Sequence, residues 1–105
     1  MTDIKTLNDN FRKSFSGGKV LLTCGISAKS AEERHDIILK VRIFNTFNEK
    51  NDPHHEHDYG SFSYKGETIC WKIDYYDKMY QYGSEDPADE SKTNRVLTIM
   101  LSSEY

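Results

Sequence analysis

The stretch GSFSYKGETICWKIDYY, residues 60–76, constrains the fold of this chain more than any other segment. Lys65 and Gly66 have the form of a two-residue hairpin turn, because glycine supplies positive φ at the second position. Such a turn fixes the register of the strands that it joins, and with it the face on which each side chain lies. The core face is expected to carry Phe62, Tyr64, Ile69, Trp71, Ile73 and Tyr75, and the other face Ser61, Ser63, Cys70, Lys72, Asp74 and Tyr76.

The part of the chain that precedes the hairpin begins with the pattern of an amphipathic helix. Apolar residues at spacings of three and four predict a helix over residues 3–15, with Thr2 or Asp3 as its cap. Gly17 and Gly18 are expected to end this helix, because glycine accepts the left-handed conformation. The run KVLLTCGI that follows predicts a strand buried on both faces.

The remaining elements complete the predicted fold. Ser30 and Glu33 fit a capping box at the start of a second helix over residues 31–47. The final run RVLTIMLS is apolar on both faces and predicts a central strand. The order helix, strand, helix, hairpin, strand indicates a two-layer α+β domain, in which two helices cover one face of a mainly antiparallel four-stranded sheet. An exposed edge of the terminal strand would allow a homodimer.

The length of 105 residues corresponds to a single domain, residues 1–105. No apolar run is long enough to span a bilayer, so no membrane partner is expected. Cys24 and Cys70 lack the CxxC spacing. Free buried thiols in a reducing cytoplasm are the favoured interpretation, with one disulfide as the alternative.

The charge is distributed unevenly along the chain. Residues 1–50 hold nine Lys and Arg against six Asp and Glu, whereas residues 51–105 hold five against eleven. The acidic half argues against direct nucleic-acid binding, which needs a clustered basic face. The asymmetry either steers a protein partner with a basic surface or simply keeps the protein in solution, and the second interpretation is favoured.

Polar residues are concentrated in NDPHHEHDYGSF, residues 51–62. If hairpin pairing continues past Gly60, His57 lies opposite Asp74, with Lys72 and Tyr76 as neighbours. A carboxylate beside an imidazole holds its tautomer, so a small hydrolase is one hypothesis. His57 would then be the general base, Asp74 would orient it, Lys72 would stabilise charge and Tyr76 would be a further donor. The alternative is a His–Asp pair that only closes a loop.

Metal binding receives less support from the same stretch. HHEH lacks the spacing of the HExxH helix, and adjacent strand residues point to opposite faces. No metal site is therefore predicted, although a mixed site of His57, Asp74 and Glu56 stays open. No phosphate loop, dinucleotide fingerprint or G-x-S-x-G sequence occurs, and no cofactor is predicted.

A second hypothesis is a non-catalytic binding module that uses an acidic, tyrosine-rich surface. Tyrosine offers a large rigid contact area, and carboxylates would attract a basic partner. A base-stacking role for the tyrosines is the alternative. The candidate partner-binding residues are Tyr76 and, in addition, Tyr80, Tyr82, Glu85, Asp86, Asp89 and Glu90.

Several motifs match one family: GGKVLLTCGI, EHDYG at 56–60, WKIDYYD at 71–77, GSEDP at 83–87 and RVLTIM at 95–100. Along essentially its whole length the chain resembles a family of small uncharacterised bacterial proteins, common in proteobacteria and on mobile elements. The resemblance implies a cytoplasmic single-domain protein with no established activity, cofactor or catalytic residues. Small acidic proteins of that habitat often bind and block another protein, so an inhibitory, anti-defence role is the expectation.

Overall fold

The computed structural model describes residues 3–105 and is an α+β fold, as predicted. In that part of the chain, three α-helices and a four-stranded sheet form. Two short 3₁₀ turns, Glu90–Lys92 and Ser102–Glu104, flank the last strand. The main elements are α1 (Ile4–Ser14), β1 (Gly18–Leu22), α2 (Cys24–Ser27), α3 (Ala31–Arg42), β2 (Tyr59–Tyr64), β3 (Glu67–Tyr76) and β4 (Asn94–Leu101).

The sheet has the strand order β1-β4-β3-β2. β3 runs antiparallel to both of its neighbours, but β1 runs parallel to β4. The sheet is therefore mixed, which corrects the expectation of a mainly antiparallel one. The central position of β4 is confirmed. Because β4 is paired on both sides, the edge strands of the sheet are β1 and β2, and the homodimer stays a prediction.

The hairpin has the predicted turn and register. Pairing runs from Tyr64 opposite Glu67 to Tyr59 opposite Lys72. Lys65 has φ 48° and Gly66 has φ 83°, the two positive values that a tight hairpin turn of this hand requires. The core face follows from this register, as predicted.

α1 has a side-chain cap at its start and a residue in the left-handed conformation at its end. Asp3 caps it, because its Oδ1 accepts a hydrogen bond of 2.8 Å from the Thr6 N–H. Thr2, the other predicted cap, lies outside the described residues. The helix ends through Phe15 in the left-handed conformation, φ 58°, before the glycine pair that was expected to end it.

α3 is shorter than predicted. Ser30 caps it as expected, since its Oγ accepts from the Glu33 N–H at 3.1 Å. The helix ends at Arg42, and Phe44 and Phe47 lie in the segment that follows. Both rings pack edge-on against Trp71, so burying them against the sheet outweighs continuing the helix.

The prediction for β1 is wrong in two respects. The strand stops at Leu22, and the rest of KVLLTCGI turns into the short helix α2. It is an edge strand rather than a strand buried on both faces, and Leu21 is 50% exposed. Cys24 is exposed and Cys70 is buried, and both are free thiols, so only one matches the expectation of buried thiols.

All three helices contribute to a core on one face of the sheet. Phe11 from α1, Ile26 from α2, and Ile37 and Val41 from α3 belong to one buried cluster with residues of β3 and β4 such as Trp71. The opposite face, which we call the open face, carries Lys72, Asp74 and Tyr76, as the register predicts. Within residues 3–105 no helix combines the length and apolarity needed to cross a membrane.

Gly60 offers a test of this packing. A Cβ added there would lie 2.5 Å from Trp71 Nε1 and 2.7 Å from the Phe44 ring. We expect Gly60→Ala to lower the free energy of unfolding by about 1–3 kcal/mol, because the rings must shift. Gly83→Ala is the control, since the nearest atom to its Cβ would be the Tyr75 carbonyl oxygen at 3.8 Å. Urea unfolding measures both, and equal stabilities would contradict the packing described.

Candidate functional site

The structure separates His57 from Asp74, so the predicted acid–base pair does not form. The hairpin register extends one step beyond β2, where the Asp58 carbonyl accepts from the Ile73 N–H at 2.8 Å. His57 then has φ 55°, a left-handed backbone that turns the chain out of the strand. His57 lies beside α1 on the helical side, whereas Asp74 lines the open face.

The imidazole of His57 is enclosed by two carboxylates and a ring. Its Nδ1 lies 2.9 Å and 3.1 Å from the two oxygens of Asp9, and its Nε2 lies 3.5 Å from Asp52 Oδ2. Phe47 stacks on it, with ring centroids 3.7 Å apart and planes 5° from parallel. Each nitrogen therefore faces a carboxylate of the protein itself, and Asp74 is not among its partners.

Asp52 shapes the turn that brings His57 to this place. Its carboxylate is buried, and Oδ1 accepts from the Glu56 N–H at 2.9 Å and from the His57 N–H at 3.1 Å. A side chain that accepts backbone hydrogen bonds a few residues on fixes a local turn. In the sequence, Asp52 stands in the stretch Asn51-Asp52-Pro53, which is typical of a turn.

Arg12 extends the same contacts into the core. Its guanidinium is buried, donates through Nη1 to Asp9 at 3.0 Å and through Nη2 to the Phe44 carbonyl at 2.9 Å. The guanidinium carbon lies 5.3 Å from the Phe47 ring centroid and 5.2 Å from that of Trp71. Cation–π contact offsets part of the cost of burying this charge.

Asn8 connects α1 to the sheet. The amide is fully buried, and Nδ2 donates to the Tyr75 hydroxyl at 2.7 Å and to the Glu56 carbonyl at 3.0 Å. Its Oδ1 accepts from Arg95 Nε at 2.8 Å. The Tyr75 hydroxyl donates onward to the Glu56 carboxylate at 2.8 Å. Burial raises the pKa of Tyr75 well above its ordinary value.

We call this group of eight residues the helix-side polar cluster. Its groups bind one another across α1, the loop 44–58 and the sheet, which is the arrangement of a structural network rather than an open catalytic site. Sequence reasoning missed most of its members, although the i,i+3 pair of Asp9 and Arg12 was visible. The members are Asn8, Asp9, Arg12, Asp52, Glu56, His57, Tyr75 and Arg95.

The mixed metal site expected as an alternative is not assembled. Glu56 binds the Tyr75 hydroxyl on the helical side, while Asp74 lies on the open face. In the described part of the chain, no group of three or more His, Cys, Asp and Glu side chains is arranged to hold a metal ion.

The other three predicted catalytic residues do come together. Lys72, Asp74 and Tyr76 line a groove of about 300 Å³ on the open face, without His57. Lys72 Nζ lies 3.0 Å from Asp74 Oδ2, and this hydrogen bond raises the pKa of Lys72. The open-face groove is also lined by Leu21, Thr23, Val96, Thr98, Met100, Glu104 and Tyr105.

The predicted partner-binding residues lie in one connection, residues 77–90, which we call the 77–90 loop. Tyr82 is 73% exposed and Tyr80 is 42% exposed. Glu85, Asp86 and Glu90 are exposed and Asp89 is partly buried. Met79, which is 73% exposed, belongs to the same loop and was missed because an isolated methionine carries no motif.

The fold and these sites define a small α+β protein whose helical side is closed by a polar network and whose sheet is open on the other face. A family model described as "Protein of unknown function (DUF3768)" matches residues 22–104. The chain therefore belongs to this family of proteins of unknown function. α1 lies outside the matched segment, so the family likeness covers most of the chain rather than all of it. No curated protein and no solved structure matches significantly.

A structural role for His57 predicts a loss of stability when the imidazole is removed. We expect His57→Ala to lower the free energy of unfolding by about 1–3 kcal/mol, because the Asp9 contacts and the Phe47 stacking are lost. His54→Ala is the control, since that histidine is exposed. Chemical denaturation compares the two variants, and a His57 variant as stable as the His54 variant would refute the structural role.

Proposed function

We propose that this protein is a non-catalytic protein-binding module and that the 77–90 loop contacts the partner. The observation that carries the proposal is the exposure of two large apolar side chains, Met79 and Tyr82, on a loop whose backbone is held in one conformation. Exposed apolar anchors on an ordered loop contribute strongly to binding, because little conformational entropy is lost on association.

Asp77 orders the first part of the loop. Its Oδ1 accepts from the Met79 N–H at 3.1 Å and from the Gln81 N–H at 3.0 Å, and its own N–H donates to the Tyr82 carbonyl at 2.8 Å. Gly83 then forms a bridge with Tyr76 at the end of β3. These bonds make a compact turn that presents Met79 and Tyr82 to solvent.

Buried side chains near β4 order the second part. The Thr93 hydroxyl lies 2.6 Å from Ser84 Oγ and donates to the Asp86 carbonyl at 2.9 Å. Arg95, a member of the helix-side polar cluster, donates to the Pro87 carbonyl. The loop is thereby connected to the same network that fixes α1.

Tyr80 has a different role from Tyr82. The Lys19 ammonium lies 4.1 Å from the Tyr80 ring centroid, and Tyr76 lies beside it with centroids 6.2 Å apart. Tyr80 therefore packs the loop against the sheet edge and exposes only part of its ring. Met79 and Tyr82 are the anchors in our proposal, and Tyr80 supports them.

The acidic residues of the loop suit a partner with a basic surface. Asp86 accepts from the Ala88 N–H and Asp89 from the Ser91 N–H just after the loop, so both carboxylates also hold its shape. Glu85 pairs with Lys92 at 3.6 Å, but both side chains are exposed, and such pairs contribute little. Glu85 and Glu90 are therefore the charges that can be changed without loosening the loop.

The family resemblance adds a finer form of the proposal, in which the protein acts in the cytoplasm and inhibits a host defence complex by occupying its basic nucleic-acid groove. Proteobacterial, mobile-element genes would be the source of such a protein. The alternative small hydrolase with a His57–Asp74 pair has no observation in its favour, because His57 and Asp74 lie on opposite sides of the sheet.

Removing the apolar anchors tests the proposal. We expect Met79→Ser with Tyr82→Ser to abolish the specific retention of a partner by the tagged protein in its native host. Leu39→Ser with Ile43→Ser is the control, since these side chains, in α3 and directly after it, are 47% and 67% exposed. A partner that the wild type and the control retain must then bind the purified wild-type protein directly. Equal retention by both double variants would contradict the proposal.

Charge changes in the loop test the sign of the charge on the partner surface. Against the identified partner, we expect Glu85→Gln with Glu90→Gln to slow association by about 2- to 10-fold at low salt and to change dissociation little. Glu32→Gln with Glu49→Gln is the matched control, because both are exposed glutamates outside the loop. Stopped-flow or surface-plasmon kinetics give both rates. Faster association by the loop variant would mean that the partner surface is acidic.

A further inference from the structure

The open-face groove is built by the strand register. Thr98 of β4 is paired with Leu21 of β1 on one side and with Lys72 of β3 on the other. Val96, two residues earlier, is paired with Asp74. Because paired residues of a sheet point to the same face, Val96, Thr98 and Met100 of β4 form a floor between side chains of β1 and of β3. Val96 and Met100 are buried in that floor.

A tyrosine lines the groove towards each of its ends. Tyr76 and its neighbour Tyr80 stand at one end, and Tyr105 stands at the other. From Val96 to Met100 a strand rises about 13 Å, which is room for a small molecule. A groove of this length suits a short ligand.

Glu104 holds the closing turn in place at the Tyr105 end. Its Oε1 accepts from the Thr23 hydroxyl at 2.6 Å and from the Leu101 N–H at 2.9 Å, and its Oε2 accepts from the Gly25 N–H at 2.9 Å. These bonds connect the C-terminal turn to α2. The wall formed by Tyr105 is therefore attached to the fold through the preceding residue.

The polar groups of the groove set the charge of its ligand. Lys72 and Asp74 form a half-exposed ion pair on one wall, beside an apolar floor. A ligand with a single charge would face one of these residues and bring its charge close to the like charge of the other. A phosphate would place two negative charges beside Asp74, with Lys72 as the paired cation. A zwitterion offers each residue an opposite charge.

We propose that the open-face groove binds a free α-amino acid with an apolar side chain. The ligand carboxylate contacts the Lys72 ammonium, and the ligand ammonium contacts the Asp74 carboxylate. The apolar side chain lies on Val96 and Met100, against Leu21. Tyr76 supplies a hydroxyl at the rim. This site lies on the sheet face and does not depend on the partner-binding role of the 77–90 loop.

Three ligands test the charge requirement. ¹⁵N-labelled protein is titrated with L-leucine, with N-acetyl-L-leucine, which lacks the ammonium, and with L-leucinamide, which lacks the carboxylate. We expect saturable shifts of the β3 and β4 amides with L-leucine at millimolar concentration, and affinity for each single-charge analogue at least tenfold weaker. No saturable shift with L-leucine, or equal binding of either analogue, would overturn the proposal.

Variants of the ion pair provide the second test. We expect Lys72→Met and Asp74→Asn each to weaken L-leucine binding by about tenfold or more. Lys40→Met is the control, because Lys40 is exposed on α3 at the far side of the molecule from the open face. Lys72 and Asp74 are half-exposed, so their variants are expected to fold, which the ¹⁵N spectra verify. Unchanged binding by both folded variants would refute the site.

Discussion

The buried amide of Asn8 is the contact on which the arrangement of this fold depends. It donates to the Tyr75 hydroxyl and to the Glu56 carbonyl, and it accepts from Arg95. One side chain of α1 thereby fixes a strand, a loop and the base of the 77–90 loop at the same time. A buried amide without these partners would cost free energy, so the four groups specify one another's positions. The apolar core stabilises the layers, and Asn8 sets how α1 sits on them.

This network also decides where function is to be sought. The histidine that the sequence marks as a base is enclosed by Asp9, Asp52 and Phe47. The helical side is thus occupied by contacts that the protein makes with itself. Our two proposals therefore use other surfaces: the 77–90 loop, with its apolar anchors and carboxylates, and the open-face groove, with its ion pair above an apolar floor.

The parts of this structure that could be predicted are those that local sequence determines. The hairpin follows from a two-residue turn and alternating side chains, and the Ser30 cap follows from a short motif. The path of residues 52–57 does not, because it depends on left-handed backbone at His57 and on a contact with Asp9 that spans 48 positions. The end of α3 was missed for a similar reason, since Phe44 and Phe47 pack on Trp71 in preference to extending the helix. Lys72, Asp74 and Tyr76 were grouped correctly because the strand register alone places them on one face.

A double-mutant cycle between Asn8 and Tyr75 tests the central claim most directly. The free energy of unfolding is measured for the wild type, Asn8→Ala, Tyr75→Phe and the double variant. If these side chains hold α1 on the sheet through one hydrogen-bonded network, the two changes are coupled, with an interaction energy of about 0.5–3 kcal/mol. If the loss of stability in the double variant equals the sum of the two single losses to within about 0.5 kcal/mol, the account is contradicted, because the two groups then stabilise the fold independently.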